Sequence, residues 1–291
     1  MSRALELAQK ARGRTSPNPM VGAVVVRRGK IVGEGYHSRA GNPHAEVEAL
    51  TRAGKDARSA DLYVNLEPCC HFGRTPPCTD AIIQAGIKRV FVGMKDPNTR
   101  VKGKGLRTLK AHGITVQSGV LKNECMKLNE AFVKVIKKGM PFVILKTAMS
   151  LDGKIATRSK DSRWISGELA RKHVHKIRNY VDAILVGTET VLKDNPRLTC
   201  RLETGPVKHP VRIILDRRNR IPLTANVFKN SRSQPVIYVT GPDITPARRK
   251  SLENRKVEIL KGKSGKNGFH IKALLKELAN REMNSILIEG G

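Results

Sequence analysis

Residues 44–78 read HAEVEALTRAGKDARSADLYVNLEPCCHFGRTPPC. Asn42-Pro43 precedes His44, AEVEALTRA has helical character, and Gly54 closes it, so the stretch predicts a helix from about His44 to Gly54. DLYVNLEP, residues 61–68, predicts a strand that runs into a Gly- and Pro-rich loop. The helix start therefore carries His44 and Glu46, and the strand end carries Cys69, Cys70, His71 and Cys78.

Upstream, residues 4–12 predict a short amphipathic helix with Leu5, Ala8 and Ala11 on one face, broken by SPNP at 16–19. MVGAVVV at 20–26, RRGK and IVGEGYH at 31–37 predict a β-hairpin. Downstream, TDAIIQAG predicts a second helix and KRVFVGMKD a second strand, and the alternation continues to about residue 120, which implies α/β layers. CMKLNEAFVKVIKK, residues 125–138, predicts one amphipathic helix closed by Gly139 and Pro141, the best boundary between domains. After it, FVILKTAMS, DAILVG, VRIILD, PVIYVT, VEIL and SILIEGG alternate with helices expected over 167–179 and 270–281. Short apolar runs of this kind predict buried parallel strands. Two α/β domains are expected, residues 1–140 and 141–291.

The whole chain has 291 residues, 39% of them apolar, which suits two packed cores and excludes a disordered chain. Lys plus Arg number 55 against 25 Asp plus Glu, a formal charge of +30 that would attract any polyanion. The excess is spread along the chain, however, and at 4% aromatic residues there is little material for base stacking, so nucleic acid is not the expected partner. No stretch approaches the roughly 18 apolar residues of a membrane span, and MSRALELAQKARGR lacks a signal-peptide core, so a cytoplasmic chain without membrane contact is expected. Five cysteines, three of them within positions 69–78, read as reduced thiols around a metal or catalytic cluster.

One imidazole and two thiolates leave the fourth position of a tetrahedral zinc open for water, the arrangement of a catalytic zinc. Neighbouring residues seldom reach one tetrahedral centre from a strand end, so the expected ligands are His44, Cys69 and Cys78, with Cys70 left to packing and His71 to loop structure. Glu46, two residues from a ligand, is placed to move a proton from water to a departing amine. H-x-E followed by Pro-Cys is the zinc deaminase pattern. The sequence departs from the nucleic-acid-editing form of it at Phe72, which removes the C-x-x-C spacing.

SPNPMVGAVVV, GEGYH, HAE and LEPCCHFGRTPPC together resemble the deaminase half of the bacterial bifunctional riboflavin biosynthesis deaminase/reductases. The resemblance implies a cytidine-deaminase-like three-layer domain that hydrolytically deaminates 2,5-diamino-6-ribosylamino-4(3H)-pyrimidinone 5′-phosphate and releases ammonia. It further implies that Asn18, His37, Arg74, Asp96 and Asn98 line the substrate pocket, although Asn18 between prolines and Asp96-Pro97-Asn98 are also good turn chemistry.

No G-x-G-x-x-G follows a strand, and Gly103-Lys104-Gly105-Leu106 has the wrong spacing, so a Rossmann domain is not expected. Instead KTAMSLDGKIA (146–156), SRWISG (162–167), residues 175–201 and ILIEGG (286–291) are similar to the reductase half of the same family. That similarity implies a dihydrofolate-reductase-like domain using NADPH, with Ala148, Trp164, Thr190 and Asp194 at the cofactor. It also implies that Ser162, Arg178, Leu198, Arg201 and Glu289 hold the ribosylamino substrate as its ribosyl group is reduced to ribityl. Ser150, Asp152 and Lys154 are expected only to shape a loop. Family members usually continue past the Glu-Gly-Gly segment, so a truncated reductase domain is expected, and a homo-oligomer. The alternatives are a zinc deaminase acting on tRNA or other nucleic acid, and a basic nucleic-acid-binding protein with a structural zinc. The latter leaves Glu46 and the open coordination position unexplained.

Overall fold

The predicted hairpin forms over Gly22–Arg27 and Lys30–Tyr36, antiparallel, with Arg28 and Gly29 at its turn both at positive φ. In the computed structural model, which describes residues 1–72, 76–99, 101–158, 165–266 and 268–290, the chain divides into two compact units, Met1–Gly139 and Met140–Gly291. The first unit runs α1 (Ser2–Gln9), β1 (Gly22–Arg27), β2 (Lys30–Tyr36), α2 (Ala45–Ala53), β3 (Asp61–Leu66), α3 (Cys78–Gln84), β4 (Arg89–Met94), α4 (Lys104–Ala111), β5 (Thr115–Ser118), α5 (Lys122–Leu128) and α6 (Glu130–Lys138). Its five strands lie in the order β2-β1-β3-β4-β5, and β3, β4 and β5 are parallel.

Apolar side chains alternate across this sheet and supply two layers of packing. Ala23, Val25, Leu62, Val64, Val90 and Val92 pack with Ala49, Ile82 and Leu109 of α2, α3 and α4. On the other side Val24 packs with Ala4 and Leu7 of α1, and Leu66 and Met94 pack with Leu5 and Cys125. Burying each Val, Leu, Ile or Met among them contributes roughly 1.5–3 kcal/mol before chain entropy is subtracted.

The single helix expected over 125–138 is a pair, α5 and α6, interrupted at Asn129. Asn129 is buried, its Oδ1 accepts the Met20 N–H at 2.8 Å and its Nδ2 donates to the Met20 carbonyl at 2.9 Å. Apolar periodicity continues through the break, so the pattern alone hides it. The side-chain amide is committed to another strand's approach, and the backbone there leaves the helical region at φ −105° and ψ 23°.

The second unit contains β6 (Phe142–Lys146), α7 (Glu168–Tyr180), β7 (Ala183–Gly187), α8 (Thr188–Asp194), β8 (Val211–Asp216), β9 (Val236–Thr240), α9 (Pro246–Asn254), β10 (Glu258–Lys261), a small hairpin of β11 (Ser264–Gly265) and β12 (Gly268–Phe269), α10 (Ile271–Asn280) and β13 (Ser285–Glu289). Its six-stranded sheet is parallel throughout, in the order β10-β9-β8-β7-β13-β6. Apolar clusters lie on both sides, one around Ile184, Ile214 and Tyr238 and one around Leu185, Ile213 and Leu278, which is why these strands read as unbroken apolar runs. At the base of the sheet Asp182 accepts from the backbone N–H groups of Asn284 and Ser285, tying β13 to β7 across 102 and 103 residues of sequence. The Asp194-Asn195-Pro196 segment is the end of α8, with Asn195 as a left-handed cap at φ 42°. Among the described residues no helix is long and apolar enough to cross a membrane.

Candidate active sites

In the first unit α2 lies directly on β2, because Gly33 and Gly35 offer no side chain: a Cβ on Gly35 would stand 2.4 Å from the Ala45 carbonyl oxygen and one on Gly33 2.2 Å from that of Ala49. His44 caps this helix with extended backbone, and Glu46 is its second residue, buried against the core. Cys69 follows the C-terminal end of β3, and Cys78 opens α3. These elements bring His44 Nδ1 and the two sulfurs within 4.8 Å of one another. Cys78 Sγ is 3.2 Å and Cys69 Sγ 3.6 Å from His44 Nδ1. A tetrahedral zinc with bonds of about 2.0–2.3 Å requires ligand atoms roughly 3.5 Å apart, so the donor set fits that ion.

The donors shift one another's protonation. The Cys69 thiol is held well below its ordinary range, chiefly by the hydrogen bond from the Cys78 thiol and then by His44, while Cys78 is correspondingly raised. The imidazole of His44 is raised by its hydrogen bond to Cys69. Burial beside the Cys69 sulfur pushes the Glu46 carboxyl up to about 7. One imidazole, two sulfurs and a buried carboxyl thus share one pocket.

Of the residues expected to line the substrate pocket, Asn18 and His37 meet. Asn18 Nδ2 lies 3.0 Å from His37 Nε2, and His37 Nδ1 lies 3.1 Å from the Pro43 carbonyl. The carbonyl can only accept, so Nδ1 carries the proton and Nε2 accepts from Asn18. Burial lowers the His37 pKa and keeps the ring neutral. Its edge meets the His44 ring at 5.4 Å and 81°. Asp96 and Asn98 form a turn in which Asp96 Oδ1 accepts the Asn98 N–H at 2.7 Å. Arg74 lies outside the described residues.

Sequence reasoning missed Glu67. It is buried and its two carboxylate oxygens accept the N–H groups of Asp96, Gly103 and Gly105 at 3.1, 2.9 and 3.1 Å. The glycine-rich stretch rejected as a nucleotide motif is therefore the N-cap and first turn of α4, held by a carboxylate next to Pro68-Cys69. A Cβ on Gly105 would stand 2.2 Å from the Pro68 carbonyl oxygen, which explains that glycine. The position of an acidic residue at a strand end, just before Pro-Cys, was the available signal.

In the second unit a cavity of about 390 Å³ opens beside α7 and α8. It gathers Ala148, Thr190 and Asp194, expected at the cofactor, with Arg178, Leu198, Arg201 and Glu289, expected at the substrate. Ser162 and Trp164 lie outside the described residues. The cavity is within the usual range for small-molecule sites. Its lining mixes the cations Lys146, Arg171, Lys193 and Arg201 with the apolar Ala148, Ile155 and Val186, a fit to a phosphorylated cofactor with a flat ring.

Two details of this cavity were not legible beforehand. Arg178 does not hold out a free guanidinium: Nε and Nη2 donate to Glu289 at 2.8 and 2.7 Å, and Nη1 donates to the Thr199 carbonyl at 3.0 Å. His175 Nδ1 accepts the Arg201 N–H at 3.2 Å, and burial together with Arg178 and Arg201 depresses this imidazole to about 4. Arg171, His175 and Arg178 recur at helical spacing, one face of α7, which is the pattern that would have found His175. Ser150, Asp152 and Lys154 bond to one another and shape their loop, as expected.

Residues 1–94 match the cytidine and deoxycytidylate deaminase zinc-binding region, and residues 141–291 match the RibD C-terminal domain. The chain is 49% identical to the riboflavin biosynthesis protein RibD of Aquifex aeolicus over 291 residues, all of this chain and 80% of that protein. It is 45% identical to the Bacillus amyloliquefaciens protein of the same name, covering all of this chain and 77% of the relative. Among solved structures, the Thermotoga maritima diaminohydroxyphosphoribosylaminopyrimidine deaminase/5-amino-6-(5-phosphoribosylamino)uracil reductase superposes with a TM-score of 0.88 at 45% identity, over all of this chain and 80% of that one. Acinetobacter baumannii RibD superposes with a TM-score of 0.90 at 41% identity, over all of this chain and 79% of that one. With family models matching both units and identities of this size along its whole length, the chain belongs to the RibD family of riboflavin biosynthesis proteins.

Proposed function

We propose that the unit of residues 1–140 deaminates 2,5-diamino-6-ribosylamino-4(3H)-pyrimidinone 5′-phosphate and that the unit of residues 141–291 reduces the ribosyl side chain of the product to ribityl with NADPH. The observation that carries the first half is the convergence of His44 Nδ1 and the Cys69 and Cys78 sulfurs within 4.8 Å, beside buried Glu46. Zinc bound there supplies the Lewis acidity that brings a water's pKa to about 7. With zinc held by His44, Cys69 and Cys78, Glu46 would take a proton from water as the water oxygen bonds to the amine-bearing ring carbon, and would return that proton to the amino group, so that the C–N bond breaks and ammonia leaves. Its perturbed, shielded carboxyl suits a group that must both accept and donate. Neutral His37, with both ring nitrogens spent on Asn18 and the Pro43 carbonyl, fixes the Asn18 side-chain amide beside the pyrimidinone.

For the second half, NADPH supplies the hydride, and the protein positions the partners. Ala148, Thr190 and Asp194 line the cofactor side of the cavity. Leu198, Arg201 and the Arg178–Glu289 pair line the substrate side, where Arg201 faces the 5′-phosphate and the pair frames the sugar. Ser162 and Trp164 belong to the same assignment by family resemblance, as does Arg74 in the first unit. The enzyme is proposed to act in the cytoplasm as a homo-oligomer.

Incubation of the zinc-loaded protein with the phosphorylated diaminopyrimidinone tests this directly. Ammonia release, followed by NADPH oxidation once the deaminated product is present, is the expected result. Ammonia release from a short RNA and not from the pyrimidinone would overturn it.

A further inference from the structure

The first unit holds a second concavity of about 490 Å³ at the C-terminal ends of β4 and β5; its lining includes none of His44, Cys69 and Cys78 but shares Asp96 with the residues expected at the deaminase substrate. Lys95, Lys102, Lys122 and Lys137 all line it. Among the described lining residues the only acid is Asp96, and its Oδ1 is taken by the Asn98 N–H. None of the four ammonium groups has an ion-pair partner among the described residues.

The backbone that carries these lysines is built rather than loose. Buried Glu67 accepts from Asp96 and Gly103, which are the chain neighbours of Lys95 and Lys102. Asn129, between the helices that bear Lys122 and Lys137, is fastened to Met20. Helix stability accounts for Lys137, in the last turn of α6, but not for Lys122, the first residue of α5, where the helix dipole disfavours a cation. Four lysines lining one hollow give it a positive potential that favours an anion. The hollow lies outside the carboxyl ends of parallel strands, the usual place for ligands in α/β sheets, and its volume suits a small molecule.

We propose that this cavity binds a small anion carrying two or more linked phosphates, either inorganic pyrophosphate or the polyphosphate tail of a nucleotide. Four point charges on flexible stems match the spread charge of linked phosphates better than a single carboxylate. The remaining basic residues of the chain are distributed over its length, so the assignment concerns these four and not the net charge.

Isothermal titration of the zinc-loaded protein with pyrophosphate, ADP and AMP tests the proposal. Pyrophosphate binds, and the paired substitution Lys122→Glu with Lys137→Glu weakens it about tenfold or more, while Lys55→Glu with Lys110→Glu, outside the cavity, leaves it within about twofold. ADP binding comparable to pyrophosphate, with AMP much weaker, identifies a nucleotide tail; pyrophosphate binding alone identifies the inorganic ion. Unchanged zinc content and melting temperature show that the variant is folded, and Lys122→Gln with Lys137→Gln replaces it if they change. Equal weakening by both pairs would reduce the effect to diffuse charge and overturn the proposal. Absence of binding to pyrophosphate and ADP at about millimolar concentration overturns it too, as does binding only to a short single-stranded RNA.

Discussion

Arg178 and Glu289 form a two-bonded ion pair across 111 residues of sequence, Nε to Oε1 at 2.8 Å and Nη2 to Oε2 at 2.7 Å, with only 12% and 10% of their side chains exposed. The pair joins α7 to the end of β13 and forms part of the lining of the second unit's cavity. Breaking such a pair leaves one charge buried without its partner, a loss of about 3–5 kcal/mol. Glu289→Ala is therefore expected to lower the melting temperature of the second unit and to abolish NADPH oxidation, while ammonia release persists. Differential scanning calorimetry with both assays measures this. A variant with unchanged melting and unchanged NADPH oxidation would remove the pair from both roles.

Glu46→Gln retains size and hydrogen-bonding capacity but cannot shuttle a proton. Zinc content stays at the wild-type level because His44, Cys69 and Cys78 are untouched, and ammonia release falls about 10²–10⁴-fold, the usual range for a positioned acid–base group. Elemental analysis beside the ammonia assay checks the two halves of this expectation. Zinc loss in the variant would turn Glu46 into a ligand and contradict its place as a proton carrier.

All three metal donors belong to the first unit, and none lines the second unit's cavity. Stripping zinc with a chelator is therefore expected to stop ammonia release while NADPH oxidation with pre-formed deaminated substrate continues. Re-addition of zinc restores the first activity. Parallel loss of both activities on chelation contradicts independent chemistry in the two units.

The first unit's chemistry was legible because it rests on residue types few other structures need. His44, Glu46, Cys69 and Cys78 announce themselves by identity and by their places at a helix start and a strand end. The parallel sheet of the second unit was equally plain in its apolar runs. What stayed hidden depends on long-range partners. Asn129 splits a helix because of Met20, Glu67 holds the turn at Asp96 and the start of α4, 29 to 38 residues away, and the Arg178 fork is taken by a carboxylate at the other end of the domain. A local pattern has no way to register such commitments. Short elements such as β5 and α8, of four and seven residues, also lack the length from which periodicity can be read.

His175 gives the second unit a pH dependence whose sign follows from its surroundings. Its folded pKa lies near 4, depressed by burial and by Arg178 and Arg201, with Glu289 opposing, against 6.5 for a free imidazole. Between those values the unfolded chain binds a proton that the folded chain refuses, so stability is full above about pH 6.5 and falls as the pH drops toward 4. Protonation would also remove the Nδ1 acceptor used by the Arg201 N–H. Melting of the second unit is thus expected to fall on acidification through this window, and His175→Asn, which keeps an acceptor and has no titration, flattens the dependence. Parallel melting curves for the parent and His175→Asn between pH 4.5 and 7 would deny His175 this role, since the remaining groups of the cavity are present in both.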